Sequence, residues 1–244
     1  MFTTNPFAEL SLSPEVMQGY VVLMVLLVIG GTILDMIHKG SAKYFFENAK
    51  KAEKNARRSV SSGEKAGLAV KTLTNEVLTS SEFANPARRM SHLLTMYGFI
   101  VFVVTTAIMV FSLPVAEGES STVVPLLWHL GALSLCAGGY WFWFAIRVDV
   151  SSEGVKWYNF NGRGDYFIVG LITTPTFDLL WSIIGGGVDV FFVLFILSAT
   201  VLFGTVYWSK FAHMFFKPAA AYQKKVTKAD GSQENLPDVP ELSD

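Results

Sequence analysis

The chain has 244 residues, of which 51% are hydrophobic and 16% charged, and its mean hydropathy is +0.41. That balance is too apolar for an ordinary soluble domain, and the apolar residues fall in long runs. The formal net charge of -1 conceals how unevenly the charges are distributed.

A bilayer core takes about 20 consecutive apolar residues per helix, and five runs meet that length: roughly 18–37, 92–113, 123–146, 166–184 and 188–208. The predicted fold is therefore an all-α integral membrane protein, a five-helix transmembrane bundle. The first run has no basic residue before it and no small-residue cleavage site after it, and reads as a retained helix rather than a signal peptide. All 19 Lys and Arg lie in 39–91 (eleven), 147–165 (three) and 209–244 (five). Basic flanks stay cytoplasmic, so the expected topology is N-terminus outside and C-terminus inside, in a bacterial cytoplasmic membrane.

Four regions follow: 1–38, the N-terminus and first span; 39–91, a cytoplasmic helical loop; 92–217, spans two to five; and 218–244, a cytoplasmic tail. The loop is rich in helix formers and reads as a hairpin turning at Ser61–Gly63, either solvated or a docking surface for a soluble protein. From about Thr227 the tail is acidic, contains proline and reads as disordered. There is no P-loop or Gly-rich phosphate fingerprint. The single cysteine, Cys136, excludes an iron–sulfur or Cys-based zinc site in this chain alone. Inverted repeats and paired broken helices of a transporter are not evident.

Four histidines are present. His92 starts the second span, three residues after Arg89, and His213 ends the fifth, three residues after Lys210. On antiparallel helices both fall at one depth, the arrangement in which two imidazoles approach a b-type haem from opposite faces; the alternative is a pair of interfacial histidines anchoring helix ends. Gly98 would leave room for a flat macrocycle, and Arg88, Arg89 and Lys210 would meet anionic propionates. His38 reads as interfacial, or as a substitute ligand. His129 reads as a hydrogen-bonded packing residue, or as a quinone contact or proton relay. Asp178, deep in the fourth span, is too costly to leave as a bare carboxylate and is expected to be protonated, partnered or facing water; it could also exchange quinone protons. "ALSLCAGG" (132–139) offers small residues for close helix packing. "YWFWF" (140–144) reads as an interfacial aromatic belt, and "NGRGD" (161–165) as a polar turn.

"SHLLTMYGF" (91–99) and "SKFAHMFF" (209–216) resemble the matching segments of the nitrate reductase gamma-like membrane cytochromes b. The likeness is strongest to their sulfur-metabolism branch, which includes the membrane domain of the quinone-interacting oxidoreductase. The resemblance covers about 88–217 and implies that His92 and His213 are axial ligands of the haem nearer the cytoplasm. Two-haem members have further histidines ten residues after the first ligand and eighteen before the second; here these positions hold Phe102 and Phe195, so one haem is implied. Length and the missing second pair are similar to the membrane anchors associated with adenylylsulfate reductase. That likeness implies a non-catalytic subunit passing electrons from a cytoplasmic adenylylsulfate reductase, an iron–sulfur flavoprotein, through haem b to quinone. The competing reading is a haem-free scaffold that only tethers the reductase.

Overall fold

The computed structural model describes residues 4–39, 41–81, 83–114, 122–151, 153–160, 162–184, 187–206 and 217–232. Most of these are helical, and no strand occurs among them. The helices are α1 (Pro14–Lys39), α2 (Ser41–Lys54), α3 (Ser62–Thr72), α4 (Pro86–Phe111), α5 (Val123–Trp141), α6 (Gly162–Ile184), α7 (Val190–Gly204) and α8 (Lys217–Ala229). A π-helical turn, Leu73–Leu78, extends α3, and another, Phe142–Ile146, extends α5.

Four stretches are long and apolar enough to cross a membrane: Pro14–His38, Pro86–Phe111, Val123–Ile146 and Asp165–Ile184. The protein is thus a multi-pass membrane protein by length and composition. The fifth expected span coincides with α7, whose 15 described residues are apolar but fall short of a bilayer's thickness.

Small residues set the bundle's spacing. A Cβ on Gly98 would lie 2.8 Å from the Leu135 nitrogen and 3.0 Å from the Gly131 carbonyl, and one on Gly138 would lie 2.8 Å from the Ser91 carbonyl. Ser91 Oγ donates to the Gly138 carbonyl at 2.9 Å, and Ser134 Oγ to the Leu94 carbonyl at 2.9 Å. In a bilayer no hydrophobic force draws helices together, so close backbone approach with hydroxyl bonds across it is what joins α4 to α5. Gly170 brings α6 against Leu202 of α7 in the same way. The small-residue run 132–139 therefore does serve packing.

At the end of the bundle away from α2 and α3, a short 3₁₀ turn, Pro6–Glu9, inserts Phe7 among Trp128, Trp181 and Phe195, with ring centroids 5.5, 5.4 and 6.5 Å away. Asn5 fixes this turn: its Oδ1 accepts from Phe7 N, and its Nδ2 donates to the Met109 carbonyl at 3.0 Å. Edge-to-face aromatic packing of this kind adds about 0.5–1.5 kcal/mol per pair beyond burial. Gln18 Nε2 and Tyr20 OH tie α1 to α4 and α7 at the same end.

The opposite end gathers the basic segments. The 39–91 segment does form two helices, but they pack mainly against α8 and not as a hairpin on each other, and the break between them precedes Ser61. Ser61 is the N-cap of α3, its Oγ accepting from Glu64 N at 3.2 Å, and Gly63 lies inside the first turn; a serine before a helix-forming run caps more readily than it turns. The tail also departs from expectation. Thr227 is buried inside α8, and the chain is folded as far as Ser232. The reason lies in the last turn of α8, whose carbonyls have no intrahelical donors. Arg58 Nε donates to the Ala229 carbonyl at 2.6 Å, and the Arg57 and Arg58 amides donate to the Asp230 carbonyl at 2.9 and 3.2 Å. Gly231 follows at φ +74°, the left-handed residue that closes helices. Lys225 reaches Glu76 at 2.9 Å. A sequence window sees none of these partners.

Candidate functional site

α4 begins with a strong local stop and start. Asn85 accepts from the amides of Ala87 and Arg88, and Pro86 occupies the first helical position. This fixes the register that puts His92 two turns into the helix, at the basic end. Its ring lies 5.0 Å from that of Phe83. Phe83 is a hub: the Arg88 guanidinium is 5.6 Å and the Lys217 ammonium 5.9 Å from its ring centre. His92 is half-buried. Its expected partner His213, and Lys210, lie outside the described residues.

The residues expected around a haem are otherwise engaged. Gly98 is not beside an open slot; it abuts the backbone of α5, and that contact, rather than room for a macrocycle, accounts for the glycine. Arg88 lies 3.8 Å from Glu153, and Arg89 Nε donates to the Thr79 carbonyl at 2.8 Å. Among the described residues His92 offers an imidazole of the right chemistry at the right end of a span. Sequence position could not separate a glycine facing a cofactor from one facing a helix.

Phe102 and Phe195, where the resemblance would put a second ligand pair, are both buried. Their centroids are 6.5 Å apart at 86°, within the aromatic cluster around Phe7, Trp128 and Trp181. His38 is exposed at the basic end of α1.

His129 is buried. Its Nδ1 lies 2.6 Å from the Pro125 carbonyl, and its Nε2 lies 2.5 Å from Ser182 Oγ of α6. A carbonyl only accepts, so Nδ1 carries the proton and Nε2 accepts from the serine hydroxyl. This is the hydrogen-bonded packing histidine of the sequence reading. One turn before Ser182, Asp178 is completely buried, and neither carboxyl oxygen has a hydrogen-bond partner among the described residues; the hydroxyl of Thr174, a further turn back, has none either.

A pair that sequence reasoning missed closes the basic end. Arg147 Nη2 meets Asp165 Oδ2 at 2.5 Å and the Asn159 carbonyl at 2.9 Å, both side chains being almost wholly buried. The guanidinium lies 4.0 Å over the Trp143 ring. The π turn after α5, in which Arg147 N reaches back to the Phe142 carbonyl at 2.8 Å, sets this direction. Asp165 belongs to the first turn of α6, where the helix dipole favours a carboxylate, so residues 162–165 of "NGRGD", expected as a polar turn, are instead the start of the helix and carry a structural anion. Its available signal was an acid and a base flanking one short interhelical segment. Trp143, read as part of an aromatic belt, is a platform for that arginine.

Compared with family models, curated proteins and solved structures, the chain matches none. No group of three or more His, Cys, Asp or Glu side chains that could hold a metal ion occurs among the described residues.

Proposed function

We propose that this chain is a five-span membrane anchor and electron-transfer subunit, N-terminus outside, that links a cytoplasmic oxidoreductase to the quinone pool. The candidate partner is an iron–sulfur flavoprotein of the adenylylsulfate reductase type. His92 and His213 would hold a single b haem, which when bound supplies one-electron transfer between the soluble centres and quinone. The observation that carries the reading is the position of His92, at the basic end of a span-capable helix and against Phe83, whose ring also receives Lys217. Lys217 follows His213 by only four positions in the sequence. The folded unit of α2, α3 and α8 at that end supports a docking role.

A haem-free scaffold for the same reductase is the second reading. The commitments of Arg88 to Glu153, Arg89 to Thr79 and Gly98 to α5 favour it.

A reduced-minus-oxidised optical spectrum of membranes containing the chain, expressed with ample haem supply, separates the two. The electron-transfer reading expects a low-spin b-type signal at about one haem per chain. His92→Ala or His213→Ala abolishes it, because six-coordinate ligation needs both imidazoles. His38→Ala and His129→Ala leave it in place. A spectrum without haem in the intact protein leaves the scaffold.

A further inference from the structure

A series of aromatic rings runs in contact from the end of α5 onto the segment that follows it. Tyr140 and Phe144 stack with centroids 6.1 Å apart at 14°, Phe144 lies 6.1 Å from Trp157, and Trp157 lies 5.6 Å from Tyr158. All of them are exposed, Tyr140 at 39%, Phe144 at 54%, Trp157 at 55% and Tyr158 at 63%. Tyr140 and Phe144 belong to the span-capable stretch Val123–Ile146, so the series starts on a surface that a membrane-crossing helix turns to lipid.

The backbone explains how Trp157 returns to the level of Phe144. Beyond Arg147 the chain leaves α5 and doubles back: the amides of Glu153 and Gly154 donate to the Asp149 carbonyl at 3.1 and 2.9 Å, and Val155 N donates to the Arg147 carbonyl at 3.0 Å. Gly154 takes φ +63° in this reversal, a conformation that glycine adopts without a steric cost. Asn159 N then donates to the Lys156 carbonyl at 2.9 Å, and Arg147 Nη2 donates to the Asn159 carbonyl at 2.9 Å. The almost wholly buried Arg147 therefore holds the segment on both sides, through its carbonyl at Val155 and its guanidinium at Asn159. Trp157 and Tyr158 lie between those anchors.

Exposed rings in contact with one another are unfavourable in water. They suit the boundary between hydrocarbon and headgroups, where an indole or a phenol has its apolar face in one medium and its polar tip in the other. Phe144 lies in the last turn of its span, which places Trp157 beside it at that boundary. Lys156 adds a cation: its Nζ lies 5.7 Å from the Tyr158 ring centre, and an ammonium at this depth pairs with lipid phosphate. The acids of the loop lie in its tip and are turned to other partners. Glu153 is 3.8 Å from Arg88, and Asp149 Oδ1 accepts from Ser151 N at 3.0 Å.

We propose that residues 156–158 rest in the headgroup layer of the bilayer, Trp157 and Tyr158 among the phospholipid esters and Lys156 against a phosphate, with Arg147 as the residue that positions them. The partner of this surface is the phospholipid leaflet, not a soluble protein. The proposal needs the membrane-spanning character of the chain, but neither haem nor quinone.

The test uses the full chain in phosphatidylcholine–phosphatidylglycerol vesicles, with Cys136→Ser so that one introduced thiol takes a nitroxide. Labels at Trp157→Cys and at Tyr158→Cys should collide severalfold less with a water-soluble nickel chelate than a label at Ser151→Cys in the tip, and at least as often with oxygen, which concentrates in lipid. Chelate collisions equal to those at Ser151→Cys overturn the proposal and leave the rings to a soluble partner; a loss of both chelate and oxygen collisions overturns it in favour of burial in protein. Should a cysteine variant fail to insert, Trp157→Phe, which keeps a ring in place, decides instead. It should lower the share of tryptophan fluorescence quenched by lipids brominated near the headgroup, and unchanged quenching overturns the proposal.

Discussion

Gly98 and Gly131 are set against each other across the α4–α5 interface: a Cβ on Gly131 would lie 3.1 Å from the Gly98 carbonyl and 2.8 Å from the Phe102 nitrogen. Backbone cannot retreat as a flexible side chain can, so Gly98→Ala or Gly131→Ala should destabilise the bundle by about 1–3 kcal/mol. Gly30→Ala on α1, where nothing lies within 4 Å, should be neutral or slightly stabilising. Thermal unfolding of detergent-solubilised protein gives the comparison, and equal effects at Gly98 and Gly30 would contradict the close packing.

Arg147 and Asp165 form a pair whose partial removal leaves a buried charge. Arg147→Ala should therefore cost about 3–5 kcal/mol. Arg147→Lys should rescue little, because it loses the planar stack on Trp143 that holds Nη2 between Asn159 and Asp165. A double mutant with Asp165→Asn should be less than additive, and strict additivity in denaturation would show that the two side chains are not coupled.

The contact between α3 and the tail should loosen in acid. Hydrogen bonding from Arg58 holds the Glu64 carboxyl below its ordinary range. A depressed acid contributes stability that is present above its unfolded pKa and lost as pH falls through its folded pKa, so the contribution is intact at pH 7 and disappears below about pH 4. Both side chains are exposed to solvent, so the effect is modest and screened by salt. Amide hydrogen exchange in α8 should quicken at low pH, and Glu64→Gln should remove that dependence; a Gln variant with the wild-type pH profile would refute the link.

Topology has its own check. Reporters placed near Ser61 and after Asp244 should both read as cytoplasmic, and one near Glu117 as the opposite side. A cytoplasmic signal at Glu117 would reverse the assignment.

The residues divide by how local their reasons are. Apolar runs and the clustering of Lys and Arg carry the spans, and the structure duly brings the 39–91 segment, the Arg147–Asp165 segment and α8 to one end. His129 was legible as a packed histidine because a buried imidazole needs partners, although Ser182 was not nameable. Phe7 was not legible: it belongs to a short polar-looking N-terminal stretch, and only tertiary contact with Trp128 and Trp181 makes it core. Gly98 failed for a related reason, since its neighbours Gly131 and Leu135 lie more than 30 residues away. Thr227 reads as the start of a loose tail until Arg57, Arg58 and Glu76 are brought beside α8.

The bond from Arg58 to Ala229 joins positions 171 residues apart, with every span-capable helix after α1 lying between them in the chain. The unit at that end therefore cannot be completed until α8 has been synthesised. α2 and α3 are made early, and α8 follows only after the intervening helices have been synthesised. Any protein that recognised the combined surface of α2, α3 and α8 would thereby distinguish a chain that carries α8 from one that stops short of it.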